Sequence, residues 1–167
     1  MGQIQALIQE LEQEAASTRR FLERVPQGKS DWRPHPKSMP LARLAGHVAE
    51  MPGWGTMTMT TAELDLNPPG GEPMQGLTSD SPEELTAAFD RGVAGMRAAL
   101  EGADEAELAK PWSLKSGGQV IFTLPKAVVM RSFVFSHLVH HRAQLGVYLR
   151  LNDVPLPSSY GPTADEE

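Results

Sequence analysis

The sequence predicts an all-α fold, a four-helix bundle with crossover connections and a small extended hairpin before the last helix. Three observations support this prediction. Apolar residues recur at three-and-four spacing in four separate segments, the connections after the first two segments are long and rich in Pro and Gly, and a short alternating pattern precedes the fourth. A chain of 167 residues suits one domain and is short for two, so a single domain over residues 1–167 is expected.

The first helix is predicted from Ile4 to Val25, where apolar residues alternate with Glu and Arg. The second helix is predicted to begin near Ser38, a residue suited to the N-cap, with Pro40 in its first turn. Pro52 and the glycine after it are expected to kink this helix.

Residues 64–80 are predicted to be a loop because Pro, Gly and polar residues dominate them. The segment Ser81-Pro82-Glu83-Glu84 has the pattern of a capping box with Pro at the first helical position. A third helix is therefore expected to begin there and to end near Gly102.

Alternating apolar residues on both sides of Gly117-Gly118 favour a short hairpin or an extended flap. The helical period then returns from Pro125 to about Asn152, where Pro155 and Pro157 stop the fourth helix. The residues beyond are predicted to form an irregular arm.

Composition excludes several classes of protein. The formal charge of -6 opposes binding to nucleic acid, and no apolar run approaches the roughly 20 residues of a membrane span. The N-terminal residues lack the pattern of a signal peptide, so a cytoplasmic protein is expected. The sequence contains no Cys, which leaves His, Asp and Glu as metal ligands.

Three histidines form the candidate site. His137 and His141 are four residues apart on the fourth helix, so they share one face, at positions where apolar residues would otherwise pack. His47 lies between Leu44 and Met51 on the inward face of the second helix. The three imidazoles are predicted to bind one divalent metal ion across the bundle, with nitrogen-to-metal distances of about 2.0–2.2 Å.

The alternative is that these residues are ordinary core histidines, although three together are costly to desolvate unless their nitrogens are used. Glu50 follows His47 by one turn and is the candidate catalytic residue. It could orient an imidazole, act as a base, or be a solvated helix residue. His140 is expected to flank the site, while Arg142 and Gln144 are predicted to point partly away from it, towards the tail or a neighbouring helix.

The sequence resembles the DinB-like family of the DinB/YfiT-like superfamily over nearly its whole length. The resemblance rests on the segments LARLAGHVAEMPGW, WSLKSGGQVIFTLP and SHLVHHRAQLGVYLRLNDVPLPSSYGPTADE. The most specific parts of this resemblance are the isolated His of the second helix, the H-x-x-x-H-R-x-Q run of the fourth helix and the tail that follows. The family usually has Gly where Ala143 stands.

The resemblance implies a bundle with crossover connections, a homodimer, and one divalent ion on His47, His137 and His141. Nickel or zinc is the expected ion, with iron or manganese as further options. Related proteins include thiol-dependent transferases or isomerases and proteins described as metal-dependent hydrolases.

Three imidazoles leave coordination positions open, which favours an enzyme that acts on a small-molecule substrate. Activation of water would make it a hydrolase, and activation of a low-molecular-weight thiol would make it a thiol-dependent S-transferase. The alternative is a noncatalytic metal-binding module in stress response or interaction, while the acidic charge opposes DNA binding.

Overall fold

The computed structural model describes residues 2–166, which form a mostly helical fold with a small sheet. The elements in chain order are α1 (Gln3–Leu22), α2 (Leu41–Thr60), β1 (Glu63–Asp65), α3 (Pro82–Glu101), a 3-10 turn (Glu107–Ala109), β2 (Pro111–Ser116), β3 (Gln119–Pro125), α4 (Lys126–Val129), a π-helical segment (Met130–Ser136) and α5 (His137–Leu151). The last three are contiguous and form the fourth long helix. In the described part of the chain, no helix has both the length and the apolar character needed to cross a membrane.

The predicted all-α class is wrong, because the helices are accompanied by a sheet of strand order β1-β2-β3. β2 and β3 form the predicted hairpin around Gly117 and Gly118, whose positive φ angles suit glycine. β1 pairs with β2 in parallel, with Glu63 opposite Ser113. β1 lies partly within the segment predicted to be a loop, because three residues are too few to show an alternating pattern.

The start of α3 follows its predicted capping signal, whereas the start of α2 does not. The Ser81 side chain accepts a hydrogen bond from the Glu84 N–H at 3.3 Å, and Pro82 opens α3. α2 begins at Leu41 after Pro40, with no side-chain cap, rather than near Ser38. Pro40 has extended backbone, with ψ of 151°, so the helix cannot begin before it.

Two apolar clusters hold the helices together, with α2 packed against both α3 and α5 and α1 packed against α3. Each of the four long helices supplies buried residues to both clusters. The first includes Leu22, Leu44, Phe89 and Leu145, and the second includes Leu11, Met96, Leu100 and Val134.

The π-helical segment directly precedes His137 in the fourth long helix. A π segment has wider turns than an α-helix, so it changes the angular relation between the residues before it and those after it. Such segments occur often at functional sites. Here the segment sets the rotation of the helix at the point where the two predicted ligands begin.

The irregular C-terminal arm lies against α1. The Glu166 carboxylate pairs with Arg20 of α1 and with Arg24 just beyond the end of α1, and it also accepts the Ser158 N–H at 3.0 Å. Asp165 pairs with Arg150 of α5. The arm therefore lacks regular secondary structure but is fixed by charge to two helices.

Candidate metal centre

The three predicted histidines meet between α2 and α5. One ring nitrogen from each of His47, His137 and His141 lies within 4.8 Å of those from the others, so the cluster could hold a metal ion. His47 and His141 are buried, each 8% exposed, and His137 is partly buried. A tetrahedral ion with bonds of about 2.1 Å keeps its ligand atoms closer than 4.8 Å, and small rotations of the rings can bring the nitrogens to that spacing.

The hydrogen bonds of the three rings define which nitrogen each can offer. The Nδ1 atom of His47 lies 2.9 Å from Glu50 Oε1. The Nδ1 atom of His137 lies 3.2 Å from the Phe133 carbonyl oxygen, and that of His141 lies 2.7 Å from Gln144 Oε1. These oxygens can only accept, so each neutral ring carries its proton on Nδ1. Each ring therefore leaves its Nε2 lone pair free.

The role of Gln144 differs from the prediction that it points towards the tail or a neighbouring helix. Its Oε1 accepts from His141, and its Nε2 donates to Nε2 of the exposed His140 at 3.0 Å. The i,i+3 spacing from His141 to Gln144 matches that from His47 to Glu50, and residues at this spacing are neighbours on a helix. That repeated spacing is the signal in the sequence that could have identified Gln144.

Glu50 is held by three other groups and is not a solvated helix residue. Its Oε1 accepts from His47 and from Arg43 Nη2 at 3.1 Å, while its Oε2 accepts the Leu77 N–H at 2.8 Å. Arg43 also donates to the Leu77 carbonyl at 3.1 Å. These contacts favour the orienting role among the three alternatives, and a part in catalysis stays a prediction.

Gly46 allows the loop that contains Leu77 to lie directly against α2. A Cβ atom at Gly46 would lie 2.0 Å from the Leu77 carbonyl oxygen, which leaves no room for a side chain. The Ser79 N–H donates to the Ala42 carbonyl at 3.2 Å in the same contact. The loop is therefore fixed beside the His47–Glu50 pair.

The electrostatic environment favours the neutral forms of His137 and His141 and the charged form of Glu50. Burial lowers the pKa of His141 to about 4, although the Gln144 hydrogen bond opposes the shift, and burial and His47 lower the pKa of His137. Burial alone would raise the pKa of Glu50, but hydrogen bonds from His47 and Leu77 and the charge of Arg43 outweigh it and lower the pKa. Protons therefore compete weakly with a metal for His137 and His141 at neutral pH.

The depressed pKa of His141 predicts a pH dependence of stability. The folded chain takes up this proton near pH 4 and the unfolded chain near the ordinary value of 6.5. Stability is therefore present above pH 6.5 and is lost as the pH falls. For the metal-free protein we expect the titration of His141 to lower the free energy of unfolding by about 2 kcal/mol as the pH falls from 7 to 5. Urea denaturation measures this change.

A His141→Gln variant should show a shallower fall over this interval, while variation of the exposed His35 to Gln should leave the fall unchanged. Equal pH profiles of stability for wild type and His141→Gln would contradict the assignment of this pH dependence to His141. Most carboxylates titrate below this interval, so they contribute little to it.

A cavity of about 190 Å³ opens beside the cluster. It is lined by side chains of α2 and by the loop between β1 and α3, namely Arg43, His47, Glu50, Trp54, Leu66, Met74 and Gly76. The Trp54 ring lies 5.8 Å from the His47 ring and 5.0 Å from the Phe133 ring, measured between centroids. Aromatic side chains therefore form one wall of the site.

Arg142 contacts α1 and the tail, as predicted, and not the cluster. It is 2% exposed, its Nη1 lies 2.7 Å from Glu14 Oε2, and it donates to Thr18 Oγ1 at 3.0 Å. Tyr160 of the tail packs over the guanidinium at 5.1 Å and donates its hydroxyl to Glu14 Oε1 at 2.8 Å. Arg142 therefore anchors α5 to α1 and to the tail, beside the histidine cluster.

Comparison with known proteins places this fold in one family. A family model described as the DinB superfamily matches residues 10–145. A DinB-like protein from Bacillus cereus is similar in structure, with a TM-score of 0.69 and 19% identity over 95% of this chain and 99% of that one. A DinB-like protein from Bacillus subtilis has a TM-score of 0.67 and 15% identity over 92% of this chain and 96% of that one. No functionally curated protein matches significantly. The chain belongs to the DinB superfamily.

Proposed function

We propose that this protein is a metal-dependent enzyme in which His47, His137 and His141 bind one divalent ion and a small molecule is the substrate. The observation that carries the proposal is the meeting of three imidazoles whose Nδ1 atoms are all committed to hydrogen bonds. The three Nε2 lone pairs that remain free in this partly buried site are costly to desolvate unless they bind something, and a metal ion is the ligand that suits them.

The donor set fits a borderline metal. All three donors are neutral imidazoles, which suit zinc and nickel, with iron or manganese as further options. Each imidazole is oriented through its other nitrogen by a carboxylate, a backbone carbonyl or an amide, as is usual for metal-binding histidines. Three protein ligands are typical of catalytic rather than structural sites.

A bound ion would supply a Lewis acid able to activate water or a low-molecular-weight thiol, as in a hydrolase or a thiol-dependent S-transferase. The chain itself orients the ligands and limits access of water. Glu50, Gln144 and the Phe133 carbonyl hold the rings, and the Trp54 and Phe133 rings cover one side of the cluster.

Elemental analysis of protein purified without an affinity tag tests this proposal. We expect about one divalent ion per chain, and we expect the loaded protein to turn over one of three substrate classes: esters, amides or thiol-conjugation substrates. A His47→Ala variant serves as the control for adventitious metal. Wild-type protein that stays free of metal after incubation with nickel and zinc would contradict the site, and a loaded protein inactive on all three classes would contradict the enzymatic role.

We further propose that Glu50 positions His47. Glu50→Gln is expected to weaken metal binding about 10–100-fold, because the amide cannot accept from both His47 and Leu77 as the carboxylate does. Metal affinity is measured by competition with a chromophoric chelator, with Glu63→Gln, at the exposed first residue of strand β1, as the control. Wild-type affinity in Glu50→Gln, with slower turnover, would indicate a general base instead.

We also propose a homodimer that uses the outer face of α5. Ala143, Val147 and Leu151 lie at successive four-residue steps along this face, and Val147 and Leu151 are more than half exposed. Together with Phe21 and Gly146 they line an apolar groove of about 390 Å³. Apolar surfaces of this kind are typical of protein interfaces.

Light scattering at micromolar concentration should give twice the chain mass of 18.2 kDa. Val147→Glu should yield the monomer, because a charge at the interface is costly to bury. Val120→Glu changes an equally exposed valine of the hairpin and should leave the dimer intact. A wild-type monomer at every concentration would refute the proposal.

A further inference from the structure

The indole N–H of Trp54 has no hydrogen-bond acceptor within residues 2–166, although its Nε1 atom is buried. Trp54 lines the same cavity as His47, and its ring lies 6.2 Å from the ring of His137. A buried donor without an acceptor costs about 1–3 kcal/mol, so such groups are rare in native proteins and call for an explanation. A ligand in the adjoining cavity would provide the missing acceptor after a small shift of the indole ring, because the Nε1 atom is itself closed to solvent.

The other polar groups of the cavity lining also favour a ligand that accepts hydrogen bonds. Arg43 contributes a guanidinium that pairs with Glu50 and donates to the Leu77 carbonyl, and further N–H groups of this guanidinium are left to donate to a ligand. Among the described lining residues, Glu50 is the only acidic one, and both of its oxygens already accept hydrogen bonds from His47, Arg43 and Leu77. The lining therefore offers donors to a ligand and no unoccupied carboxylate.

Charge points in the same direction. Three neutral imidazoles would leave both positive charges of a divalent ion uncompensated in a partly buried site, so a negatively charged ligand is favoured there. The cavity of about 190 Å³ has room for about six water-sized groups at roughly 30 Å³ each. A small ligand, or one end of a larger molecule, fits this volume.

We propose that the cavity binds the carboxylate group of a small-molecule substrate and that Trp54 Nε1–H donates to this carboxylate. The inference rests on the proposed metal site and deepens the proposed function by naming the substrate class. Trp54 is then a specificity residue: it stabilises a ligand whose oxygen atom reaches the indole N–H, and it discriminates against ligands without an acceptor at that place.

Acetate binding to the cobalt-loaded protein tests the proposal, with visible absorption of cobalt as the readout. Trp54→Phe keeps an aromatic ring and removes the N–H, so acetate should bind about tenfold more weakly while cobalt affinity stays unchanged. Trp32→Phe, which alters a tryptophan packed against Tyr148, should bind acetate as wild type does. Equal acetate affinity in Trp54→Phe and wild type would overturn the proposal.

A second measurement uses the wild-type zinc-loaded protein and does not depend on how the variant folds. Addition of acetate should shift the nuclear magnetic resonance signal of the Trp54 indole N–H downfield. The Trp112 signal should stay in place, because its N–H already donates to Thr61 Oγ1 at 3.2 Å. An unmoved Trp54 signal at saturating acetate would also overturn the proposal.

The metal site and the carboxylate site can be refuted separately. If the wild-type protein binds no cobalt, the three-histidine site fails, and the carboxylate proposal fails with it. If cobalt binds and acetate does not, only the carboxylate proposal fails.

Discussion

His141→Ala is expected to lower the affinity for zinc or nickel at least about hundredfold. The variant keeps two neutral donors, which rarely hold a borderline divalent ion in water. Within residues 2–166 the His141 ring has one side-chain hydrogen-bond partner, Gln144, and its burial already disfavours the protonated ring. The metal-free fold should therefore lose no more than about 1 kcal/mol of unfolding free energy.

The matched control is His140→Ala, the adjacent histidine on the same helix. His140 is exposed, and its Nε2 lies 3.0 Å from Gln144. Its removal should leave metal affinity close to that of wild type. The quantities to measure are bound metal per chain and the thermal midpoint of the metal-free protein. Equal metal occupancy in His141→Ala and a loaded wild type would refute the three-histidine site.

Arg142→Met is expected to lower the free energy of unfolding by about 3–5 kcal/mol. Arg142 and Glu14 form a buried ion pair, in which Arg142 is 2% exposed and Glu14 is 5% exposed. The substitution keeps an apolar side chain of similar length. It leaves the Glu14 carboxylate buried without its cation, which is costly. Urea denaturation of the metal-free protein provides the measurement.

Two further variants separate this effect from general damage to α5. Arg150→Met removes the cation of an exposed pair with Asp165 and should cost at most about 1 kcal/mol. The double variant Glu14→Gln, Arg142→Met removes both buried charges and should recover more than half of the lost stability. A cost for Arg142→Met no larger than that for Arg150→Met would contradict the buried ion pair.

The long helices and the histidine cluster could be predicted because both depend on helical periodicity. The three-and-four spacing places His137 and His141 on one face of α5, and the same spacing places His47 on the inward face of α2. The hairpin was predictable for a local reason as well, since Gly117 and Gly118 adopt positive φ angles that favour glycine.

Other features depend on tertiary partners and leave no local pattern. β1 has three residues and is defined by its pairing with β2. The π-helical segment Met130–Ser136 shows the apolar spacing of an ordinary helix, so the sequence does not mark its wider turns. The site residues Gln144 and Arg43 acquire their roles only when His141 and Leu77 lie beside them.

The most direct test of the three-histidine site is anomalous diffraction at the metal absorption edge, from crystals of protein loaded with zinc or nickel. We predict one anomalous peak per chain, about 2.0–2.2 Å from a nitrogen of each of His47, His137 and His141. Loaded crystals with their only anomalous peaks elsewhere on the chain, or with a peak that touches fewer than three of these imidazoles, would contradict it.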